Sequence, residues 1–183
     1  LKDAYKSLDE ALVHGGIANN VKVNLVRIES DSLKNNEIKT KLKNVSGLLI
    51  PGGFGKRGTE GKISAIKFAR ENKIPFLGIC FGMQMAIVEF ARNKLKIKKA
   101  GSTELDRKCY PVIGLINEWD KDGKIIKGTD KDLGGTMRLG LYEAKLRNNS
   151  AINRIYKLSS IKERHRHRSV SYTHLTLPTK EEV

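Results

Sequence analysis

The first half of the chain alternates between segments with helical periodicity and short apolar runs. In some segments apolar residues recur on one helix face, whereas other segments alternate or are continuously apolar, which is typical of strands. Because this order implies right-handed crossovers, it predicts an α/β fold with a mostly parallel sheet flanked by helices. The predicted elements are helix Asp3–His14 stopped by Gly15 and Gly16, strand Val21–Glu29, strand Val45–Ile50 and helix Gly61–Asn72.

The stretch Pro75–Asn93 predicts a buried strand, a sharp turn and an amphipathic helix. Cys80 lies at the turn, within the frame Gly78-x-Cys80-x-Gly82. This frame is the cysteine form of the nucleophile elbow, in which small flanking residues permit a strained backbone that exposes the nucleophile. The apolar positions at helical spacing are Met83, Ile87, Phe90 and Ala91.

The predicted position of Cys80 favours a reactive thiolate. Backbone N–H groups and the dipole at a helix N-terminus favour negative charge and lower the pKa of a cysteine. The N–H of Phe81 would point at a tetrahedral oxyanion. The alternative is an inert core residue, since cysteine is among the most buried residue types.

A glycine-rich loop, Pro51–Gly55, follows the predicted strand Val45–Ile50. Glycine lets a backbone approach a ligand closely, so the N–H of Gly53 is placed to donate to the same oxyanion as Phe81. Gly-rich turns are also common without any function. Because ligands of parallel sheets bind at the carboxyl ends of the strands, we expect Gly53 and Cys80 to meet in one crevice.

The second half of the chain has shorter runs separated by turns. These predict strands over Pro111–Ile116 and Met137–Leu146 and a helix over Ser150–Lys157 with Ser150 as its cap. The segment Glu163–Arg168 alternates arginine and histidine. Two histidines fall short of a full ligand set, so we expect no metal site and favour an arginine that binds a carboxylate.

Composition is ordinary for one globular domain, with 183 residues and 39% hydrophobic content. The net charge of +15 comes from lysines with few interleaved aromatic residues, which favours a solvated surface over a nucleic-acid interface. No apolar run reaches the roughly 20 residues that a membrane span needs. Two cysteines are too few for a disulfide scaffold, so we expect a cytoplasmic protein with reduced thiols.

With these motifs in place, residues 1–168 resemble the class I glutamine amidotransferase domains of the CTP synthase family. The elbow LGICFGMQ at 77–84 indicates some class I amidotransferase. The strings DLGGTMRLG at 132–140 and ERHRHR at 163–168 narrow the resemblance to the CTP synthase family. Further matching strings are DAYKS at 3–7, PGGFGKRGTEG at 51–61, FAREN at 68–72 and STE at 102–104. The resemblance implies a flavodoxin-like three-layer sandwich.

The resemblance also implies a function and a set of site residues. Cys80 would hydrolyse glutamine through a thioester, and Gly53 and Phe81 would hold the oxyanion. Glu104 would bind the substrate ammonium and Arg168 its carboxylate. The remaining glutamine-site residues by the family pattern are Gly82, Met83 and Gln84.

Partners and effectors follow from the same resemblance. The ammonia would pass to an N-terminal synthetase domain of the same polypeptide, which aminates UTP to CTP with ATP and Mg²⁺ and makes the whole enzyme a ligase. The full-length enzyme is expected to be a homotetramer. Residues Arg57, Gly58 and Glu60 match a lid that responds to GTP as an allosteric activator.

The sequence also departs from the family pattern. None of His14, His165, His167 and His174 matches the downstream His-Pro-x-x-Glu setting that completes the family's triad, so we expect an incomplete and largely inactive fragment. Residues 169–183 resemble a translated sequencing-adaptor tail and are expected to be non-native. The alternatives are another class I amidotransferase subunit or a non-catalytic basic nucleotide-binding module.

Overall fold

A computed structural model describes residues 5–33, 35–115, 118–121, 124–127, 138–167 and 169–171 of the chain. Helices and strands alternate through its first half and strands dominate the second. The helices are α1 (Lys6–Ala18), α2 (Asn35–Leu42), α3 (Thr59–Glu71), α4 (Phe81–Asn93) and α5 (Ala151–Tyr156). The strands are β1 (Leu48–Ile50), β2 (Phe76–Gly78), β3 (Ala100–Ser102), β4 (Tyr110–Leu115), β5 (Glu118–Lys121), β6 (Lys124–Lys127), β7 (Arg138–Lys145), β8 (Ser160–His167) and β9 (Ser169–Ser171).

Strand pairing confirms the α/β class. Strands β1 and β2 pair in parallel with Ile50 opposite Gly78, and β3 pairs in parallel with β4. The pairs β4–β9, β5–β6 and β7–β8 are antiparallel, so the described sheets are mixed in the second half. Because β1 and β2 are parallel and in register, the loops that follow Ile50 and Gly78 leave the sheet at the same edge.

The main core lies around α4, whose residues Phe81, Met85, Val88 and Ala91 are at most 4% exposed. They pack with Ile50 of β1, with Ile63 and Ile66 of α3 and with residues of β3 and β4. A smaller cluster joins α2 to α3 through Leu33, Ile38, Leu42 and Ala65. Helix α4 is therefore fixed from several sides, and its first turn carries the elbow.

Several predicted elements are confirmed with shifted ends. Helix α3 begins at Thr59, β1 begins at Leu48, and Ser150 caps α5 by accepting a hydrogen bond from the Asn153 N–H at 3.1 Å. In α4 the interpretation of Met83 as a core position was wrong, because Met83 is 47% exposed and Met85 is buried instead. The helix face that meets the core starts at Phe81.

The end predicted for the first helix was wrong. Helix α1 continues through Gly15 and Gly16 to Ala18. A Cβ on Gly16 would lie 2.7 Å from a methyl group of Val23 and 2.8 Å from the carbonyl oxygen of Val21. Gly16 therefore provides space for the chain segment that returns along α1, and it does not end this helix.

The strand predicted over residues 21–29 was also wrong. These residues have no strand pairing within the described part of the chain. Val23, Leu25 and Ile28 are half-buried, whereas Val26 is 68% exposed. An alternating pattern selects a strand only where a second strand supplies hydrogen-bond partners, and the described residues place none beside this segment.

Residues 169–171 form β9, which pairs with β4 through Val170 opposite Gly114. Backbone pairing of this kind depends little on side-chain identity. The non-native origin of residues 169–183 therefore stays a prediction.

A buried ion pair ties α3 to α4. Glu89 is 1% exposed, and its carboxylate accepts hydrogen bonds from Arg70 Nη2 at 2.8 Å and Arg70 Nε at 3.0 Å. Asn93 Nδ2 donates to the same carboxylate at 3.1 Å. The Glu89 hydrogen bond raises the pKa of Arg70.

Replacing Arg70 with alanine leaves the Glu89 carboxylate buried without its cation. We expect Arg70→Ala to lower the free energy of unfolding by about 3 kcal/mol, measured by chemical denaturation. The double variant Arg70→Ala/Glu89→Leu removes the buried charge as well and should recover part of this loss. A loss below about 0.5 kcal/mol in the single variant would show that the pair does not hold the helices together.

Candidate active site

Cys80 joins β2 to α4 with a strained backbone. Its φ of 51° and ψ of −104° lie in a region that residues with a Cβ rarely adopt. Such a conformation costs about 1–3 kcal/mol and persists only where the surroundings enforce it. Here the Ile79 N–H donates to the Ile50 carbonyl at 3.0 Å, and the Gln84 N–H donates to the Cys80 carbonyl at 3.1 Å. The nucleophile elbow predicted from the sequence is present.

Both glycines of the Gly78-x-Cys80-x-Gly82 frame are required, because a side chain would not fit at either position. A Cβ on Gly78 would lie 2.6 Å from the Met83 nitrogen, and a Cβ on Gly82 would lie 2.1 Å from the Ile50 carbonyl oxygen. These contacts are with backbone atoms, which do not move aside cheaply. The first turn of α4 therefore packs directly on the ends of β1 and β2, and this contact turns Cys80 outward.

The pKa of Cys80 is shifted in the direction opposite to the one predicted. Burial raises the pKa of the Cys80 thiol, a hydrogen bond from the Phe81 N–H lowers it, and the charge of Glu104 raises it again. The net direction is upward, so the prediction that the helix N-terminus lowers this pKa below its ordinary value was wrong. The helix does contribute through the Phe81 N–H, but loss of water around the half-buried sulfur outweighs it.

The predicted residues from three separate segments meet at one pocket around Cys80. Gly53 comes from the loop after β1, Glu104 from the turn after β3, and Phe81 and Gln84 from the first turn of α4. The expected convergence of Gly53 and Cys80 is therefore confirmed. The pocket is lined by Gly53, Phe54, Cys80, Phe81, Gln84, Glu104, Arg166 and His167.

Other residues of the predicted site lie elsewhere. Gly82 is buried against β1, and the Met83 side chain is largely exposed, so neither lines the pocket. Arg168 falls outside the described residues.

The predicted lid residues lie apart from the pocket and are held by neighbours. Arg57 forms an ion pair with Asp31, which raises the pKa of Arg57. Glu60 accepts two hydrogen bonds from Arg92 at 3.0 Å. Gly58 has a φ of 67° at the start of α3, a conformation that favours glycine.

Sequence reasoning missed three residues that line the pocket: Phe54, Arg166 and His167. Nδ1 of His167 lies 3.7 Å from Sγ of Cys80, although the two residues are 87 positions apart in the chain. The Arg-His segment forms part of strand β8, with His165 and His167 half-buried and Arg164 and Arg166 exposed. It gave no indication of which element the histidines face.

Three rings form a row along β7 and β8 toward the pocket. The centroids of Tyr142 and His165 are 5.2 Å apart, and those of His165 and His167 are 5.1 Å apart with the rings edge to face. Gly140 lies opposite His165 in the strand pair. The contacts fix the His167 ring beside the sulfur.

Within the described ranges, no group of three or more His, Cys, Asp or Glu side chains is arranged to hold a metal ion. None of the helices in those ranges is long and apolar enough to cross a bilayer.

Comparison with known proteins gives a consistent result. Residues 1–183 match the family described as glutamine amidotransferase class-I. The chain is 76% identical over 168 residues to the CTP synthase of Pelagibacter ubique HTCC1062 and 56% identical over 171 residues to that of Zymomonas mobilis. Each alignment covers 92% of this chain and 31% of the relative, so the chain spans about a third of these proteins.

A solved structure has the same fold. The glutaminase domain of Trypanosoma brucei CTPS with bound acivicin superposes with a TM-score of 0.77 at 30% sequence identity. The match covers 92% of this chain and 62% of that one.

The close approach of Gly82 to β1 can be tested by adding one methyl group. Gly82→Ala gains about 1 kcal/mol in helix propensity but places a Cβ against a backbone oxygen, so we expect a net loss of about 2 kcal/mol in the free energy of unfolding. Gly53→Ala is the matched control, because a Cβ there meets nothing within 4 Å. Equal stability of both variants in chemical denaturation would contradict this account of the elbow.

Proposed function

The chain belongs to the glutamine amidotransferase class-I family, and from this membership we propose that it is a CTP synthase glutaminase domain in which Cys80 hydrolyses glutamine. One observation carries the proposal. A strained cysteine at the start of a helix shares a pocket with Gly53, Gln84 and Glu104, which come from different segments of the chain. A buried structural cysteine needs none of these features.

The chemistry begins with attack of the Cys80 thiolate on the side-chain carbonyl carbon of glutamine. The N–H groups of Gly53 and Phe81 stabilise the oxyanion of the tetrahedral intermediate. The proton that the thiol gave up passes to the amide nitrogen as the carbon–nitrogen bond breaks, so ammonia leaves and a glutamyl thioester remains on Cys80. Water then hydrolyses the thioester, which releases glutamate and restores the thiol.

Substrate recognition uses charged side chains of both signs. Glu104 binds the α-ammonium of glutamine, Arg168 binds its carboxylate, and Phe81 and Gln84 line the amide. Glu104 also raises the pKa of Cys80. A bound ammonium neutralises the Glu104 charge, so substrate binding itself lowers the pKa of the nucleophile.

The ammonia serves a second reaction in a longer polypeptide. We assign that reaction to a synthetase domain that uses ATP and Mg²⁺ to aminate UTP to CTP in pyrimidine biosynthesis, in a cytoplasmic homotetramer. The CTP synthase relatives, about a third of whose length this chain spans, support this assignment. GTP would act on the lid at Arg57, Gly58 and Glu60 by competing with the ion pairs to Asp31 and Arg92.

The two roles of Glu104 predict opposite effects of one substitution. In Glu104→Gln the pKa of Cys80 falls, so alkylation by neutral iodoacetamide at pH 7 should accelerate severalfold. The same variant loses the charged partner of the substrate ammonium, so labelling of Cys80 by acivicin should slow by about 10- to 100-fold. Both rates are measured by mass spectrometry of the Cys80 peptide.

The control for this experiment is the second cysteine. Asp106 raises the pKa of Cys109 as Glu104 does for Cys80, so Asp106→Asn should accelerate alkylation of Cys109 and leave Cys80 unchanged. Parallel changes of both Cys80 rates in Glu104→Gln, whether up or down, would contradict a site in which Glu104 binds the ammonium.

A further inference from the structure

We infer that a second cavity, between α3, α4 and the turn that follows β3, binds a small phosphate monoester with a hydroxyl-bearing body, such as a sugar phosphate. The cavity has a volume of about 450 Å³. Small-molecule sites typically have volumes of about 300–1,000 Å³. The cavity shares no lining residue with the pocket around Cys80, so the inference does not depend on the proposed glutaminase function.

Lysines from three segments of the chain surround this cavity. Lys56 precedes α3, Lys99 precedes β3, and Lys108 lies between β3 and β4. All three side chains are exposed, and none of them forms an ion pair with another residue that the structure describes. Ammonium groups that line one cavity without counter-charges favour an anion in the space between them.

The acidic residues of the lining offset only part of this charge. Glu60 accepts two hydrogen bonds from Arg92 at 3.0 Å, so these two charges balance each other. Asp106 accepts a hydrogen bond from the N–H of Lys108 at 2.9 Å within its own turn. Three lysine charges against the one of Asp106 leave a net charge of +2. A phosphate monoester, with a charge of about −1.5 to −2 at pH 7, matches it.

The donors of the cavity favour a phosphate over a carboxylate. Arg92 Nε donates to the Ala100 carbonyl at 2.7 Å, and Arg92 Nη1 donates to Glu60. Each two-nitrogen edge of this guanidinium therefore has one nitrogen in use, and the planar fork that selects carboxylates is not free. The remaining cations are lysine ammonium groups, which bind phosphate as point charges.

The rest of the lining suits a hydroxyl-bearing body. Ser102 is 3% exposed and its Oγ accepts a hydrogen bond from the Glu104 N–H at 3.3 Å, but its own O–H has no acceptor among the described residues. Such a buried hydroxyl can donate to a ligand oxygen, and the Asp106 carboxylate can accept from a ligand hydroxyl. The described lining includes no aromatic side chain, on which a nucleobase would stack. A sugar phosphate therefore fits better than a nucleotide.

Cys109 lines the same cavity and can report on its occupancy. The Cys109 side chain lies over Gly101, where an added Cβ would be 3.1 Å from Sγ. Burial raises the pKa of the Cys109 thiol, the charge of Asp106 raises it further and that of Arg92 lowers it. Both charged groups are thus close to the sulfur, so a ligand held among them covers the thiol.

Protection of Cys109 from alkylation tests the inference, with ribose 5-phosphate as the probe. The 183-residue chain is reacted with iodoacetamide at increasing probe concentrations, and labelling of Cys80 and Cys109 is followed by mass spectrometry. At about ten times its Kd the probe should slow Cys109 alkylation about tenfold, because only about a tenth of the protein is then unliganded. Alkylation of Cys80 should not change. Ribose should not protect Cys109, and inorganic phosphate should protect it only at higher concentration.

Variants of the lining lysines decide whether the cavity holds the probe. Lys99→Gln/Lys108→Gln removes two of the three unpaired cations and should abolish the protection. Lys98→Gln is the matched control, because Lys98 is an exposed neighbour that does not line the cavity, and it should keep the protection. Arg57→Gln should also keep it, since the predicted lid residue Arg57 lies outside the cavity. Unchanged circular dichroism and Cys80 alkylation show that each variant is folded.

Alkylation of Cys109 at the same rate with and without ribose 5-phosphate would overturn the inference. So would equal protection in Lys99→Gln/Lys108→Gln, because the probe would then bind elsewhere. Protection by GTP at lower concentration than by ribose 5-phosphate would contradict the assigned ligand class. Labelling of Cys80 by acivicin is measured in parallel samples, so failure of the glutaminase proposal is distinguished from failure of this one.

Discussion

The contact between the first turn of α4 and the end of β1 is the constraint on which the site depends. Gly82 lies against the Ile50 carbonyl and Gly78 against the Met83 nitrogen, without space for a side chain at either position. This packing holds Cys80 in its strained conformation and directs the sulfur away from the core. The parallel register of β1 and β2 then brings the Gly53 loop to the same edge. The strain is sustained by the hydrophobic contacts of α4 with β1, α3, β3 and β4.

The electrostatics of the pocket follow from this placement. A sulfur that emerges beside a packed helix is partly shielded from water, and the resulting rise in its pKa exceeds the effect of the Phe81 N–H. The helix N-terminus is therefore not enough to activate the nucleophile. Glu104, which comes from a distant segment, raises this pKa further.

Local features were predictable from the sequence, and long-range features were not. The Gly-x-Cys-x-Gly frame and the helix cap at Ser150 depend on residues that are neighbours in the chain, so residue spacing was sufficient to predict both. The end of α1 depends on how Val21 and Val23 pack on Gly16. Whether residues 21–29 form a strand depends on a second strand that pairs with them. Hydrophobic periodicity reveals neither of these contacts. The contact of His167 with Cys80 joins residues 87 positions apart, so no local pattern in the sequence could predict it.

The central claim is that Cys80 carries a covalent intermediate, and one measurement tests it most directly. The chain is mixed with glutamine, quenched in acid at successive times and analysed as intact protein and as peptides by mass spectrometry. The account predicts a glutamyl group on the peptide that contains Cys80, absent from Cys80→Ala and removed by neutral hydroxylamine as a thioester. Glutamate production that continues in Cys80→Ala, or that proceeds with no adduct on Cys80 at any time, would contradict it.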